Sequence, residues 1–363
     1  MEFLHANSMD RLNRQQLYNR SRQAVAETKH IGRSDIFFPL QKFYVAGVET
    51  KRLLHYQLDN KPGRWHPGSS SALPNFATAF KIIRERWPQL GSSSSEEPLF
   101  LLAAGYRSGS TLLQRMLMKE RWMWGEPYGH SGLMENLSTV FRCLTQDWPE
   151  DNFLENHPRF NNTYDQTWIA NLYPDPQHLV EATLQYMQTL FATPARGKGY
   201  ERWGIKEVTL DTNMALFLKW LYPGCRLVFL IRNPYYAYRS YRRFDSTWFA
   251  RWPDHPLTSP EQFGAHWLSM AQGFLAQAEE LGAMVLRYED IKSPDFNWTA
   301  VEQHIGHSLD RGAVEYRVSG HDPDAKLTDL ETIHRELFRL SNVVNTFASS
   351  IGYWLPTPDD LIE

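Results

Sequence analysis

The sequence predicts an α/β fold: a central parallel sheet flanked by helices, with a helical extension at the N-terminus. Three observations carry that expectation. Leu99–Ala104 and Arg226–Ile231 are continuous apolar runs, the pattern of strands buried on both faces. Helical segments alternate with these runs, which implies parallel pairing. Each run also ends in a sharp polar break that opens a helix, and ligands of such sheets bind at the carboxyl ends of the strands.

The elements follow in order. Residues 1–60 are polar and helix-leaning, and Asn75–Trp87 reads as a further helix. Gly91-Ser-Ser-Ser-Ser-Glu-Glu97 reads as a flexible joint, so residues 1–95 are taken as a helical region and 96–363 as the main domain. After the first strand a helix runs from Thr111 to about Glu120. Arg202–Lys206 is a short strand, and Asp211 caps a helix that Pro223-Gly224 ends. Beyond Arg226–Ile231, Asn233 caps a helix with Pro234 in its first position, where the missing N–H costs nothing. Glu261–Leu281 is a long helix, Ala283–Arg287 a strand and Leu327–Ser349 a closing helix.

Composition narrows the function. The 363 residues are 42% hydrophobic and 22% charged, ordinary for a globular protein. A formal net charge of −3 gives no global basic field for nucleic acid, so any anion site must be built locally. The aromatic content, 14% with 13 Trp, suits either packing or a cleft that stacks a ring-bearing acceptor. Two scattered cysteines, Cys143 and Cys225, give no disulfide framework and fit a reducing compartment. No stretch is apolar enough to span a bilayer, and Met1-Glu-Phe-Leu-His-Ala-Asn7 lacks the regions of a signal peptide. The expected setting is the cytoplasm.

Both polar breaks supply what a phosphate needs. In Gly105-Tyr-Arg-Ser-Gly-Ser-Thr111, glycines permit close backbone approach and the following helix start offers N–H groups with partial positive charge. Arg107, Ser108, Gly109, Ser110 and Thr111 are therefore candidate phosphate contacts. The loop lacks the Gly-Lys-Ser/Thr of a Walker A motif, and no clear metal-binding Asp accompanies it, which weighs against ATP or GTP hydrolysis. In the second break, Arg232 offers a rigid fork of donors and Ser240 follows within the helix. Arg239, Arg242 and Arg243 read as solvated helix-face charges. Together the breaks suit a nucleotide phosphorylated at both ends of its ribose.

Arg-Ser-Gly-Ser-Thr-Leu-Leu after one strand, with Arg232-x7-Ser240 after another, resembles the sulfotransferases that use 3′-phosphoadenosine 5′-phosphosulfate (PAPS), in its bacterial and carbohydrate-type branch more than the cytosolic aryl type. Leu286-Arg-Tyr-Glu-Asp-Ile-Lys-Ser-Pro294 and Ile351-Gly-Tyr353 are similar to that family as well, so the likeness covers roughly residues 98–353. The resemblance implies a P-loop-like fold, a first loop that holds the 5′-phosphosulfate, and Arg232 and Ser240 on the 3′-phosphate. It also implies Tyr288 near the cofactor. Glu289 and Asp290 read as structural, tying the strand end to neighbouring backbone.

Sulfuryl transfer needs a base for the acceptor proton, cations for developing charge and in-line positioning; no metal is required. By resemblance, Lys206 at its strand end is the cation, with Arg107 as the second, and Glu126 in Trp124-Gly-Glu-Pro127 is the base. His130 and Glu207 are the rival bases, although Glu207 points away from Lys206 if the segment is a regular strand. The insert 127–200, with Trp148, Tyr164, Trp168 and Tyr173, is expected to form the acceptor pocket or a lid. Asp147, Asp151, Glu155 and His157 lack metal-ligand spacing and read as loop. The expected activity is PAPS-dependent transfer to a hydroxyl, leaving adenosine 3′,5′-bisphosphate. A phosphotransferase or a non-catalytic nucleotide-binding protein are the alternatives. The N-terminal helices are expected to serve as a homodimer contact, a lid or a tether.

Overall fold

The computed structural model describes residues 73–127, 132–145, 151–160, 164–243, 257–314 and 330–357. All but 257 and 258 of these belong to one compact unit, Gly68–Asp245 with Ser259–Glu363. Its centre is a five-stranded sheet in the order β2-β3-β1-β4-β5, every pair parallel. The strands are β1 (Leu99–Ala103), β2 (Arg121–Trp124), β3 (Arg202–Glu207), β4 (Arg226–Ile231) and β5 (Ala283–Arg287). All five residues of β1 are buried, as its unbroken apolar run requires of a central strand. The expected α/β class with a central parallel sheet is what the chain adopts.

Flanking the sheet are α1 (Phe76–Arg86), α2 (Ser110–Leu117), α3 (Gly132–Arg142), α4 (Pro176–Met187), α5 (Thr193–Gly197), α6 (Thr212–Leu221) and α7 (Pro234–Arg243). They continue with α8 (Pro260–Leu281), α9 (Tyr288–Ile291), α10 (Trp298–Ile305) and α11 (Leu330–Ser350). Asp211 and Asn233 cap as the sequence suggests, and Asn75, read there as the first residue of its helix, is a cap as well. Asn75 accepts from Thr78 N–H at 2.9 Å, Asp211 from Met214 N–H at 3.1 Å and Asn233 from Tyr235 N–H at 3.0 Å. Helix α1 buries Phe76, Ala79 and Ile83, with Phe76 edge-on to Phe217 of α6 at 5.0 Å. Helices α8 and α11 approach closely at Gly264, where an added Cβ would lie 2.8 Å from Leu340.

Several elements depart from the sequence reading. Helix α2 stops at Leu117 rather than near Glu120, and Arg121–Trp124 is an edge strand paired with β3. Its alternation buries Arg121 and Met123, a four-residue pattern too short to stand out from the aromatic run. Helices α3, α4, α5 and α10 were not anticipated, although α3 is amphipathic and Asp175 with Pro176 opens α4 as a capped helix. Between α4 and α5 the turns widen to a π-helix over Gln188–Ala192. Pro194 follows one residue further on, after Thr193; it lacks an N–H and its ring crowds the carbonyl one turn back, so a widened turn relieves the clash. The reading of 1–60, His130, Asp147, Trp148 and the first three residues of the closing helix lie outside the described residues. Within the polar cluster, Asp151 pairs with Arg86 at 2.7 Å.

Edge strand β2 is held by Arg121, which is 2% exposed. Its guanidinium donates to the carbonyls of Glu97 at 3.0 Å and Trp203 at 2.8 Å, and to His307 Nε2 at 3.1 Å. Helix α10 presents the Ile305 carbonyl to the same group at 3.4 Å, so the negative end of a helix faces the buried cation. His307 must be neutral to accept there, with its Nδ1 proton on the Ser308 carbonyl at 2.9 Å. Burial first, then Arg121, holds the His307 imidazole below its ordinary value of 6.5. The unfolded chain therefore binds this proton first as pH falls. Stability at this site is complete above about 6.5 and declines below it. Urea unfolding between pH 7 and 5 should show that loss, and His307→Gln should flatten the slope.

Candidate active site

Connections from β1 and β4 leave in opposite directions, since β1 leads by α2 to the β2 edge and β4 leads by α7 and α8 to the β5 edge. Right-handed crossovers that diverge place their helices on opposite faces and open a crevice between the two strand ends. Both sequence motifs border that crevice.

The first loop turns tightly. Gly105, Arg107 and Gly109 have φ of 82, 60 and 85°. Only glycine suits the third position, because a Cβ there would lie 2.1 Å from the Tyr288 ring. Arg107 is a side-chain-bearing residue in the left-handed region, which costs free energy that neighbouring contacts must offset. Arg232 supplies one, donating through a terminal guanidinium N–H to the Arg107 carbonyl at 2.7 Å. Arg107 Nε in turn donates to Ser240 Oγ at 3.0 Å. The structure thus brings Arg107, Arg232 and Ser240 into one cluster, and Arg107 faces the second loop rather than the first.

Two further features of the crevice suit an anion. Helix α2 begins at Ser110 with no side-chain cap, so its first N–H groups open onto the loop. The Ser108 hydroxyl is 1% exposed and has no hydrogen-bond partner among the described residues, and neither has Arg232 Nε. Burial, and secondarily the nearby Arg232 guanidinium, lowers the Arg107 guanidinium below its usual value. Tyr288 lies beneath Arg232, whose guanidinium is 4.4 Å from the ring centroid, with the Lys292 ammonium 4.9 Å from the same ring. The structure therefore gives Tyr288 a role in supporting Arg232 and packing on Gly109.

Lys206 and Glu126 meet at the ends of neighbouring strands. Trp124 of β2 is in register with Ile205 of β3, so Lys206 lies one residue and Glu126 two residues beyond that pair. The Lys206 ammonium and a Glu126 oxygen form a hydrogen-bonded ion pair, with side chains 7% and 15% exposed. Trp124 fixes the approach, donating its indole N–H to the Phe191 carbonyl of the π-turn at 3.1 Å. Glu207 is fully buried and continues β3, so its side chain leaves the opposite face from Lys206. Sequence reasoning missed His266 of α8, which lies 3.3 Å from where a Gly105 Cβ would be and stacks near Tyr106 at 6.1 Å. Nothing in the helical pattern of 260–281 sets that histidine apart.

Among the described residues no cluster of three or more His, Cys, Asp or Glu could hold a metal ion, and no helix is long and apolar enough to cross a membrane. A family model described as the sulfotransferase family matches residues 98–308, more than half of the chain. No curated protein matches it.

Proposed function

The chain belongs to the sulfotransferase family, and from that premise we propose that it transfers the sulfuryl group of PAPS to a hydroxyl of a small-molecule, lipid or carbohydrate acceptor. The observation that carries the finer reading is the junction of the two loops, Arg232 on the Arg107 carbonyl and Arg107 on Ser240. Such contact supports a reading in which one nucleotide reaches both turns.

In this reading Arg232, Ser240 and Arg107 hold the 3′-phosphate, with Tyr288 supporting the arginine. Ser108, Gly109, Ser110 and Thr111 hold the 5′ end through hydroxyls and backbone N–H groups. The unpartnered buried Ser108 hydroxyl fits that role. PAPS supplies an activated sulfuryl group joined to phosphate through an oxygen that leaves. Lys206 neutralises charge on that oxygen, and Glu126 takes the acceptor proton. Their ion pair keeps the two groups side by side at the end of the sheet. Exposed Tyr164 and Trp168, at 50% and 67%, support the insert as an acceptor-facing surface.

Adenosine 3′,5′-bisphosphate without magnesium should raise the Tm. At a hundredfold excess over Kd the stabilisation is about 2.7 kcal/mol. An acceptor screen with PAPS, scored by mass spectrometry for gain of one SO3, should then yield product. Stabilisation only by ATP with magnesium would instead favour phosphoryl transfer, and no response to the bisphosphate overturns the reading.

A further inference from the structure

Arg232 is steered through its own backbone. Trp267 of α8 donates its indole N–H to the Arg232 carbonyl at 2.9 Å. Across the same peptide unit, Asn233 N–H donates to Glu289 Oε1 at 3.0 Å. That amide precedes the first turn of α7 and has no intrahelical acceptor, so a side chain must supply one. The other Glu289 oxygen accepts the Tyr353 hydroxyl at 3.0 Å. Tyr353 is 4% exposed and lies under the Arg287 guanidinium, 5.4 Å from its ring centroid. Both carboxylate oxygens are thus engaged, and among the described residues no ion pair joins Glu289 to Arg232. The carboxylate fixes the peptide after the arginine through hydrogen bonds rather than a direct ion pair, and its charge still favours the protonated guanidinium.

We infer that Glu289 is a positioning residue for nucleotide recognition: it sets the direction of Arg232 through Asn233 N–H, and Tyr353 sets Glu289. The inference rests on the reading that Arg232 meets a 3′-phosphate. It makes the segment after α11, which lies beyond the matched residues 98–308, part of the binding machinery.

The test compares calorimetric Kd values for adenosine 3′,5′-bisphosphate and adenosine 5′-monophosphate, which differ only in the 3′-phosphate. Wild-type protein should prefer the bisphosphate by at least about tenfold. Glu289→Ala should lose most of that preference, with the monophosphate Kd rising by much less than the bisphosphate Kd, since Arg232 also holds the Arg107 carbonyl of the first loop. Glu289→Gln keeps an acceptor for Asn233 N–H and should retain it. Tyr353→Phe removes one hydroxyl and should shift the preference the same way by less; it carries the test if Glu289→Ala does not fold. A preference that survives Glu289→Ala, or Tyr353→Phe where the former does not fold, overturns the positioning role. So does an equal loss of both affinities, the mark of a merely structural contact. Wild-type protein that does not distinguish the two nucleotides overturns the 3′-phosphate reading itself.

Discussion

Glu126→Gln should lower kcat by about 10²–10⁴-fold, the contribution of a positioned general base, while adenosine 3′,5′-bisphosphate binds as before. Glutamine keeps the shape and one acceptor oxygen but cannot take the acceptor's proton. In the proposed reading nucleotide affinity is set at Arg232 and the first loop, at the ends of β4 and β1, whereas Glu126 follows β2, two strands from β1 and three from β4. Stability could confuse this result. Glu126 is the counter-charge of a Lys206 side chain only 7% exposed, and breaking a buried pair from one side costs about 3–5 kcal/mol. The double variant Glu126→Gln/Lys206→Met separates the effects: it should recover much of the Tm and none of the turnover. Full turnover in Glu126→Gln moves the base elsewhere, first to His130.

Much of the sheet was legible because buried parallel strands leave continuous apolar runs. Arg226–Ile231 and Ala283–Arg287 have the predicted bounds, and Asp211 and Asn233 cap the helices they were expected to cap. Edge strand β2 was not legible, since its burial depends on Arg121 finding carbonyls on β3 and near β1. The candidate site shows the same division. Each loop announced itself by local composition, but nothing local shows that Arg107 turns toward Ser240, far along the chain. Nor does a sequence show that Lys206 and Glu126 pair, because that follows from the adjacency of β2 and β3. Glu289 read as a tie to neighbouring backbone, which Asn233 N–H bears out; Tyr353 as its second partner depends on where α11 ends.

Arg232→Ala should weaken adenosine 3′,5′-bisphosphate binding by about 1.5–3 kcal/mol, roughly 10–150-fold. The direct term is a charge-assisted contact from a fork of donors whose Nε has no other partner among the described residues. An indirect term adds to it. Arg232 also holds the Arg107 carbonyl at 2.7 Å, and Arg107 is the residue kept in the left-handed region. Without that donor the first loop loses part of what offsets its strain, and the Arg107–Ser240 contact loosens with it. Arg232→Lys separates the two terms. A lysine restores a point charge but not the planar fork that bridges carbonyl and anion, so it should recover only part of the affinity. The recovered part should shrink as salt rises from 0.05 to 0.5 M, because the Debye length falls from roughly 14 to 4 Å. Calorimetry on the three proteins at two salt concentrations reads both terms. Wild-type affinity in Arg232→Ala would remove the arginine from the site and leave the two loops without a common ligand.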